Sequence, residues 1–338
     1  MAPDPLREVA PGVLVATSRL DSTNSVVVRA DPGPVGSGDF HPLGGVPGGG
    51  DVLLIDPAWE ADELAALATA LSERGLHPVA GLSTHFHHDH LLWHPGFGEV
   101  PRWASADTAR LATAHLAELL AELGPAWPAD LARVFARVQA VSGTRLPWSG
   151  QTVELVELVE HDAHAIGHTA AWLADAGILV AGDMLSDVEL PLPADERAGG
   201  ISASGGAGGS GSSGGAGGAG GSGSSGGAGG SSGSGGTGGS GGAGGSGGAG
   251  GSGSAFGSVD PLGDYLAGLD ALAPFVERAA LVVPGHGTPG TNARARLDAD
   301  RRYIEAVLAG RSVDDPRLAN PGMAEAHAAT LRLASARR

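Results

Sequence analysis

A tract of glycine, serine and alanine from Gly199 to Ser254 divides this chain into two stretches of ordinary sequence. No charged residue occurs between Arg197 and Asp260, and the tract has almost no apolar surface to bury. Because burial could not offset the entropy lost on ordering, we expect residues 199–254 to form a disordered insertion. A long loop adds little closure entropy, so we predict that residues 1–198 and 255–338 build one domain around it.

Strand-like and helix-like segments alternate on both sides of the tract. Short β-branched runs bounded by Gly and Pro predict strands, and apolar residues at helical spacing predict helices. This interleaving is typical of an α/β protein. The predicted strands are 12–18, 24–30, 51–57, 78–85, 151–159, two within 170–184, and 280–287; the predicted helices are 59–76, 105–123, 129–141, 261–278, 291–309 and 323–336.

The composition disfavours several classes of protein. A formal net charge of −17, with no lysine in the sequence, argues against a nucleic-acid-binding protein, since phosphate contacts need clustered basic residues. No apolar run reaches the roughly 20 residues of a membrane helix, and the N-terminus lacks the apolar core of a signal peptide. We therefore expect a cytoplasmic protein that acts on a small molecule, with its oligomeric state left open.

The segment His85–His90 reads HFHHDH and is unusually rich in groups that bind metals. In extended chain His85 and His87 share one side and could hold a single ion, whereas on a helix they would point to opposite sides. Asp89 and His90 are adjacent where a helical turn could begin, so they could face a second ion. The chain has no cysteine, so any metal must be held by histidines and carboxylates.

Two ligands per ion are too few for a stable site, so further ligands are expected at the ends of later strands. Three residues fit this expectation. His168 stands in AIGHT, Asp183 in VAGDM and His286 in VPGHG, each beside small residues that let the backbone turn. Each of these motifs is weak alone, but their number and order indicate one metal site.

This ordered set resembles the metallo-β-lactamase superfamily. The resemblance extends over about residues 10 to 310 apart from the insertion. It rests on TNSVVV at 23–28, IDP at 55–57, HxHxDH at 85–90, GHT at 167–169, GD at 182–183 and PGHG at 284–287. It implies a four-layer αβ/βα sandwich with two divalent metal ions, zinc by preference and iron or manganese otherwise, at one edge.

The resemblance also implies a role for each matching residue. His85, His87 and His168 would bind the first ion, and Asp89, His90 and His286 the second. Asp183 would bridge the two ions, and Asp56 would support the site from behind its ligands. The other nearby histidines match no ligand position and are interpreted as supporting or solvated residues; they are His88, His94, His161 and His164.

The implied chemistry is hydrolysis by a hydroxide that bridges two metal ions, with Asp89 as the catalytic acid–base group. Leu91 and Leu92 follow the motif where thioesterases specific for glutathione usually have small residues, and no lysine is present to grip a substrate carboxylate. We therefore expect a hydrolase of a small ester, thioester or lactone. The alternatives are a mononuclear-iron oxidoreductase similar to the sulfur dioxygenases and a metal-stabilised scaffold without activity.

Overall fold

A computed structural model describes residues 4–30, 50–149, 155–194 and 258–337 of the chain. The insertion predicted at 199–254 lies outside the described residues, as does the first part of the strand predicted at 151–159. Within the described part, eleven strands form two sheets.

The first sheet contains seven strands in the order of the sequence. Strands β1 to β4 pair antiparallel, and β4 to β7 pair parallel. The antiparallel part can use short connections, whereas each parallel step needs a crossover. The strands are β1 (Leu6–Ala10), β2 (Val13–Thr17), β3 (Asn24–Arg29), β4 (Asp51–Ile55), β5 (His77–Leu82), β6 (Arg102–Ala104) and β7 (Gln139–Ala140).

The second sheet contains four strands in the order β11-β10-β9-β8. Strands β8, β9 and β10 pair antiparallel, and β10 pairs parallel with β11, which follows residues 195–257 in the sequence. Residues from both sides of the glycine-rich tract therefore share one sheet. The strands are β8 (Val156–His161), β9 (His168–Leu173), β10 (Ile178–Gly182) and β11 (Leu281–Pro284).

Helices cover the outer face of each sheet. Helices α1 to α4 belong to the side of the first sheet, and α5 to α7 to the side of the second. None of the described helices is long and apolar enough to cross a membrane. The helices are α1 (Ala61–Glu73), α2 (Ala106–Ala114), α3 (Leu116–Glu122), α4 (Ala129–Val134), α5 (Pro261–Val276), α6 (Ala293–Leu308) and α7 (Met323–Ala336).

Alternation along the strands divides the buried side chains into three layers of core. In β4, Leu53 and Ile55 face the second sheet, whereas Val52 and Leu54 face α1. A third layer joins the second sheet to α5, α6 and α7. Both faces of a strand can be apolar only when both are covered, which explains why the run VLLI is uniformly hydrophobic. This arrangement confirms the predicted α/β class with two sheets between outer helices.

One predicted helix ends early, and two strands were not predicted. The helix expected over 129–141 ends at Val134. Phe135 adopts extended backbone, the amide of Ala136 donates to the Leu91 carbonyl, and Gln139 pairs in the sheet as part of β7. The sequence pattern also failed to indicate β1 and β6, because β1 alternates weakly and β6 has only three residues.

Candidate metal centre

The end of β5 delivers the histidine-rich segment to the edge of the first sheet. Beyond Leu82 the chain bends over residues 84–87, where His87 has φ and ψ of −67° and 149°, and a single 3₁₀ turn then spans His88–His90. Asp89 and His90 thus lie on a helical turn, as the sequence predicts. His85 and His87 lie on a bend and not on the extended chain that the spacing suggested.

One group of potential ligands combines His85, His87, His164 and Asp183, whose donor atoms all lie within 4.8 Å of one another. The Nδ1 atom of His87 lies 3.0 Å from His85 Nε2 and 3.0 Å from His164 Nε2. Asp183 Oδ2 lies 3.4 Å from His85 Nε2 and 3.3 Å from His164 Nε2. Three imidazoles and one carboxylate therefore converge on a single point.

A second group combines Asp89, His90 and His286. Asp89 Oδ2 lies 3.3 Å from the Nε2 atoms of both His90 and His286. The carboxylate of Asp183 reaches this group as well, since Oδ1 lies 3.1 Å from His90 Nε2 and Oδ2 lies 3.2 Å from His286 Nε2. Asp183 thus contacts both groups, in the position that the resemblance assigns to a bridging ligand.

The structure does not place His168 in either group. It is the first residue of β9, its Nε2 accepts a hydrogen bond of 3.0 Å from the amide of Asp183, and its ring stacks on that of His161. His164, four residues earlier, lies in the loop before the strand and points into the site instead. The motif HAIGH contains both histidines, and the choice between them depends on where the strand begins.

Hydrogen bonds behind the site orient four of the imidazoles in the same way. In each ring Nδ1 faces an oxygen atom to which it can donate, and Nε2 faces the site. The acceptors are Thr84 Oγ1 for His85 at 3.0 Å, Asp56 Oδ2 for His90 at 2.9 Å, the Leu192 carbonyl for His164 at 2.9 Å, and the Asp21 carbonyl for His286 at 3.1 Å.

Asp56, the residue after β4, holds residues of the site through hydrogen bonds to its carboxylate. Its Oδ1 accepts from the Thr84 amide at 2.8 Å, and its Oδ2 accepts from the Thr84 hydroxyl at 2.6 Å and from His90. Because the hydroxyl of Thr84 donates to Asp56, its oxygen can accept from His85 Nδ1. One buried carboxylate therefore fixes the proton positions of two candidate ligands.

This donor set fits divalent metal ions. Nitrogen lone pairs at 3.0 Å from one another repel unless a cation or a proton lies between them, and His87 Nδ1 could donate to only one of its two neighbours. Asp183 Oδ1 and Asp89 Oδ2 are also buried without a hydrogen-bond partner among the described residues. Imidazole and carboxylate ligands without sulfur suit zinc, iron and manganese.

The electrostatics of the site favour neutral rings and ionised carboxylates in the first group. Burial, aided by the neighbouring His90, lowers the pKa of His85 to about 4, and burial with His85 lowers the pKa of His87 well below its usual value. Although burial opposes it, the surrounding histidines hold the pKa of Asp183 well below its usual range. Neutral imidazole and ionised carboxylate are the forms that bind metals.

Glycines allow the backbone to approach these ligands closely. A Cβ atom at Gly285 would collide with Asp183 Oδ1, and one at Gly182 would collide with the ring of His168. Gly182 also has a φ of 54°, which side chains disfavour. Gly182 therefore leaves space for the ring of His168, and Gly285 leaves space for the carboxylate of Asp183.

Two buried arginines hold the loops that carry these ligands. Arg317 Nη1 donates to the carbonyls of Ser186 and Glu189 at 3.1 Å and 2.9 Å, and it also contacts Asp300 Oδ1 at 2.6 Å. Arg296 donates to the carbonyls of Leu185 and Thr288 at 3.1 Å and 2.8 Å. The segment after Asp183 and the segment after His286 are thus fastened to α6 and to the turn at Pro316–Ala319.

The remaining histidines of the sequence motif lie outside both groups. His88 Nδ1 lies 2.8 Å from Glu122 Oε2, and its ring meets Trp59 edge-on with centroids 5.1 Å apart. His94 accepts from the amide of Gly96 at the start of a short turn. Of the four histidines that the sequence analysis did not count as ligands, only His164 belongs to a ligand group. The start of β9 at His168 could have indicated this, because it leaves His164 in the loop before the strand.

Comparisons with known proteins identify the family and the fold. The sequence profile of the metallo-beta-lactamase superfamily matches residues 45–286. No curated protein matches the chain significantly.

Two solved structures share the fold at low sequence identity. A metallo-beta-lactamase family protein from Thermus thermophilus is 18% identical, with a TM-score of 0.55 over 98% of this chain and 94% of that chain. A beta-lactamase domain protein from Burkholderia ambifaria is also 18% identical, with a TM-score of 0.54 over 91% of this chain and 77% of that chain. Given the profile match across most of its length, the chain belongs to the metallo-beta-lactamase superfamily.

Proposed function

We propose that the protein is a dinuclear metallo-hydrolase of small esters, thioesters or lactones. The observation that carries the proposal is the convergence of four histidine Nε2 atoms and two carboxylates on two adjoining points. When bound, two divalent ions supply a Lewis acid for the substrate's carbonyl oxygen and a water of lowered pKa. The residues described here supply the ligands and the proton acceptor that this chemistry needs.

The proposed ligand set takes His164 in place of His168. His85, His87 and His164 would hold the first ion, Asp89, His90 and His286 the second, and Asp183 both. His168 would then accept a hydrogen bond from the backbone amide of Asp183. This hydrogen bond would orient the carboxylate that both groups share.

Asp89 is the proposed acid–base group. The imidazoles of His90 and His286 hold its pKa well below the usual range against the effect of burial, so its carboxylate is ionised. Its Oδ2 has no hydrogen-bond partner among the described residues. Accepting the proton of the attacking water and passing it to the leaving oxygen or sulfur is general acid–base catalysis.

Metal analysis of purified variants tests the ligand set. We expect about two ions per chain in the unaltered protein and in His77→Ala, because His77 is an exposed residue of β5. His164→Ala should lose ions because one donor of the first group is gone, whereas His168→Ala should keep more metal than His164→Ala. Loss from His168→Ala with retention by His164→Ala would contradict the assignment.

Turnover of a panel of thioesters, lactones and phosphodiesters tests the reaction. We expect Asp89→Asn to lower kcat by about 100-fold or more, the usual range for loss of general acid–base catalysis. Equal turnover by Asp89→Asn with unchanged metal content would remove the proposed role. A single iron per chain together with oxygen consumption would replace hydrolysis by the oxidative alternative.

A further inference from the structure

A buried arginine in the first sheet has no partner for its charge. Arg102 is the first residue of β6, and only 8% of its surface is exposed. Its neighbour Trp103 packs between the two sheets, so Arg102 points to the other face of the first sheet. Within the described part of the chain, its guanidinium forms no hydrogen bond and no ion pair, not even with nearby Glu99. Because an unpaired buried charge costs free energy, we expect this group to bind an anion that the chain does not supply.

The chain builds a rigid support for this arginine. The Cζ atom of Arg102 lies 5.0 Å from the centroid of the Trp93 ring, in a cation–π contact. The ring is itself held, because Trp93 Nε1 donates to the Gly98 carbonyl at 3.0 Å and Phe97 meets the ring edge-on. Gly81, which pairs with Arg102 in the sheet, leaves the necessary space, since a Cβ atom there would lie 2.9 Å from atoms of both stacked side chains. One face of the guanidinium is thus covered, and the N–H donors along its edge remain for a ligand.

A second arginine lies beside this stack. Arg137 stands two residues before Gln139, which pairs with Trp103, the residue after Arg102. The side chain of Arg137 is exposed and forms no ion pair or hydrogen bond with any described residue. Burial, and after it the positive charge of Arg137, lowers the pKa of Arg102 to about 10, so Arg102 stays charged at neutral pH. In the described part of a chain with a formal net charge of −17, two adjacent positive groups are thus left without an acidic partner.

The two arginines suit a phosphate group. The edge of a guanidinium matches two oxygens of a carboxylate or of a phosphate. Where two positive charges meet, a dianion compensates them more fully than a monoanion such as acetate does. We propose that Arg102, assisted by Arg137, forms a binding site for a phosphate group beside Trp93. Neither arginine belongs to a group of candidate metal ligands, so the proposal does not depend on the hydrolytic function.

Titration calorimetry with inorganic phosphate tests the site in the metal-loaded protein. We expect Arg102→Met to weaken phosphate binding by about tenfold or more, the range for loss of a hydrogen bond to a charged group. Arg137→Gln should weaken it by up to about fivefold, because an exposed charge contributes less. The matched control is Arg332→Gln, which alters an exposed arginine of α7 and should leave the affinity unchanged.

Two results of this titration would overturn the proposal. One is the absence of phosphate binding by the unaltered protein. The other is an unchanged affinity in both Arg102→Met and Arg137→Gln, because phosphate would then bind elsewhere, for instance at the metal ions. Since Arg137 is exposed, the second variant tests the site even if Arg102→Met does not fold.

Urea unfolding separates binding from a purely structural role of Arg102. Without phosphate, Arg102→Met should be at least as stable as the unaltered protein, because the substitution removes a buried charge that has no partner. Phosphate should raise the unfolding midpoint of the unaltered protein more than that of Arg102→Met, since a bound ligand stabilises the folded state. The general stabilising effect of phosphate is common to both proteins, so the difference between them reports binding. An equal loss of stability with and without phosphate would show a structural role and overturn the proposal.

Acetate distinguishes the class of anion. At mildly alkaline pH, where inorganic phosphate is mainly a dianion, the unaltered protein should bind phosphate more tightly than acetate. Tighter binding of acetate, lost in Arg102→Met, would overturn the assignment to a phosphate group and identify a carboxylate as the ligand.

Discussion

Replacement of Arg317 tests how much a buried charge contributes to the stability of the loops that carry the candidate ligands. Its side chain is 7% exposed and that of Asp300 is 1% exposed, and the two groups lie 2.6 Å apart. Replacing Arg317 by Met keeps much of the side-chain volume but removes the charge and every hydrogen bond of the guanidinium. The carbonyls of Ser186 and Glu189 then lose a donor, and Asp300 loses its buried partner.

The expected loss of stability follows from burial. Removing one member of a buried ion pair costs about 3–5 kcal/mol, because the remaining charge is left uncompensated. The pair between Arg301 and Asp270 has the same separation of 2.6 Å, but the side chain of Asp270 is 70% exposed. Exposed pairs contribute about 1 kcal/mol or less, so Arg301→Met is a matched control with a small expected effect.

Urea unfolding followed by tryptophan fluorescence measures both variants. We expect Arg317→Met to lower the midpoint by about 1 M or more, and Arg301→Met to shift it by a few tenths of that value. Adding Asp300→Asn to Arg317→Met should recover part of the loss, because a neutral amide is cheaper to bury than an unpaired carboxylate. Equal losses in Arg317→Met and Arg301→Met would refute the reasoning that burial determines the cost.

Three further predictions concern other parts of the molecule. Burial raises the pKa of Asp300 to about 6 even beside Arg317, so this group stabilises the fold below about pH 4 and its contribution is lost as the pH rises through 6. The stability of Asp300→Asn relative to the unaltered protein should therefore rise between pH 4 and pH 7 in urea unfolding; a constant difference would contradict this. Gly285→Ala should reduce the metal content, because its Cβ would displace the carboxylate of Asp183; two ions per chain in this variant would disprove the steric argument. Deleting residues 206–254, which include no His, Asp or Glu, should leave metal content unchanged, and loss of metal or of soluble protein would show that the tract is needed.

The sequence was sufficient for the class of fold and for most of the candidate ligands. Alternation and helical spacing depend on local burial, so β3, β4, α1 and α6 are found close to their predicted bounds. The division of HFHHDH between two groups of candidate ligands also follows from the order of its residues. Each of these features is determined by a few consecutive residues.

Features that depend on exact strand boundaries or on distant contacts could not be predicted in the same way. His164 and His168 are four residues apart, and the position at which β9 begins determines which of the two side chains faces the site. The loop that follows Asp183 belongs to no motif, and the backbone of Glu189 in it is held by hydrogen bonds to Ser186 and Arg317, the second more than a hundred residues away. Long-range contacts of this kind leave no periodic signal in the sequence.

The pairing of β10 with β11 has a consequence for the assembly of the chain. His286 and Arg317 come from the part that follows residues 195–257, whereas the other six candidate ligands precede them. Asn24 Nδ2 donates to the carbonyls of Pro284 and Gly287, so the later part docks directly on β3. A ribosome that has released only the first 198 residues has therefore supplied six of the seven candidate ligands, and His286 is still missing. Fragments 1–198 and 255–338, produced separately, are expected to form a complementation pair whose association is measured by the change in metal content on mixing.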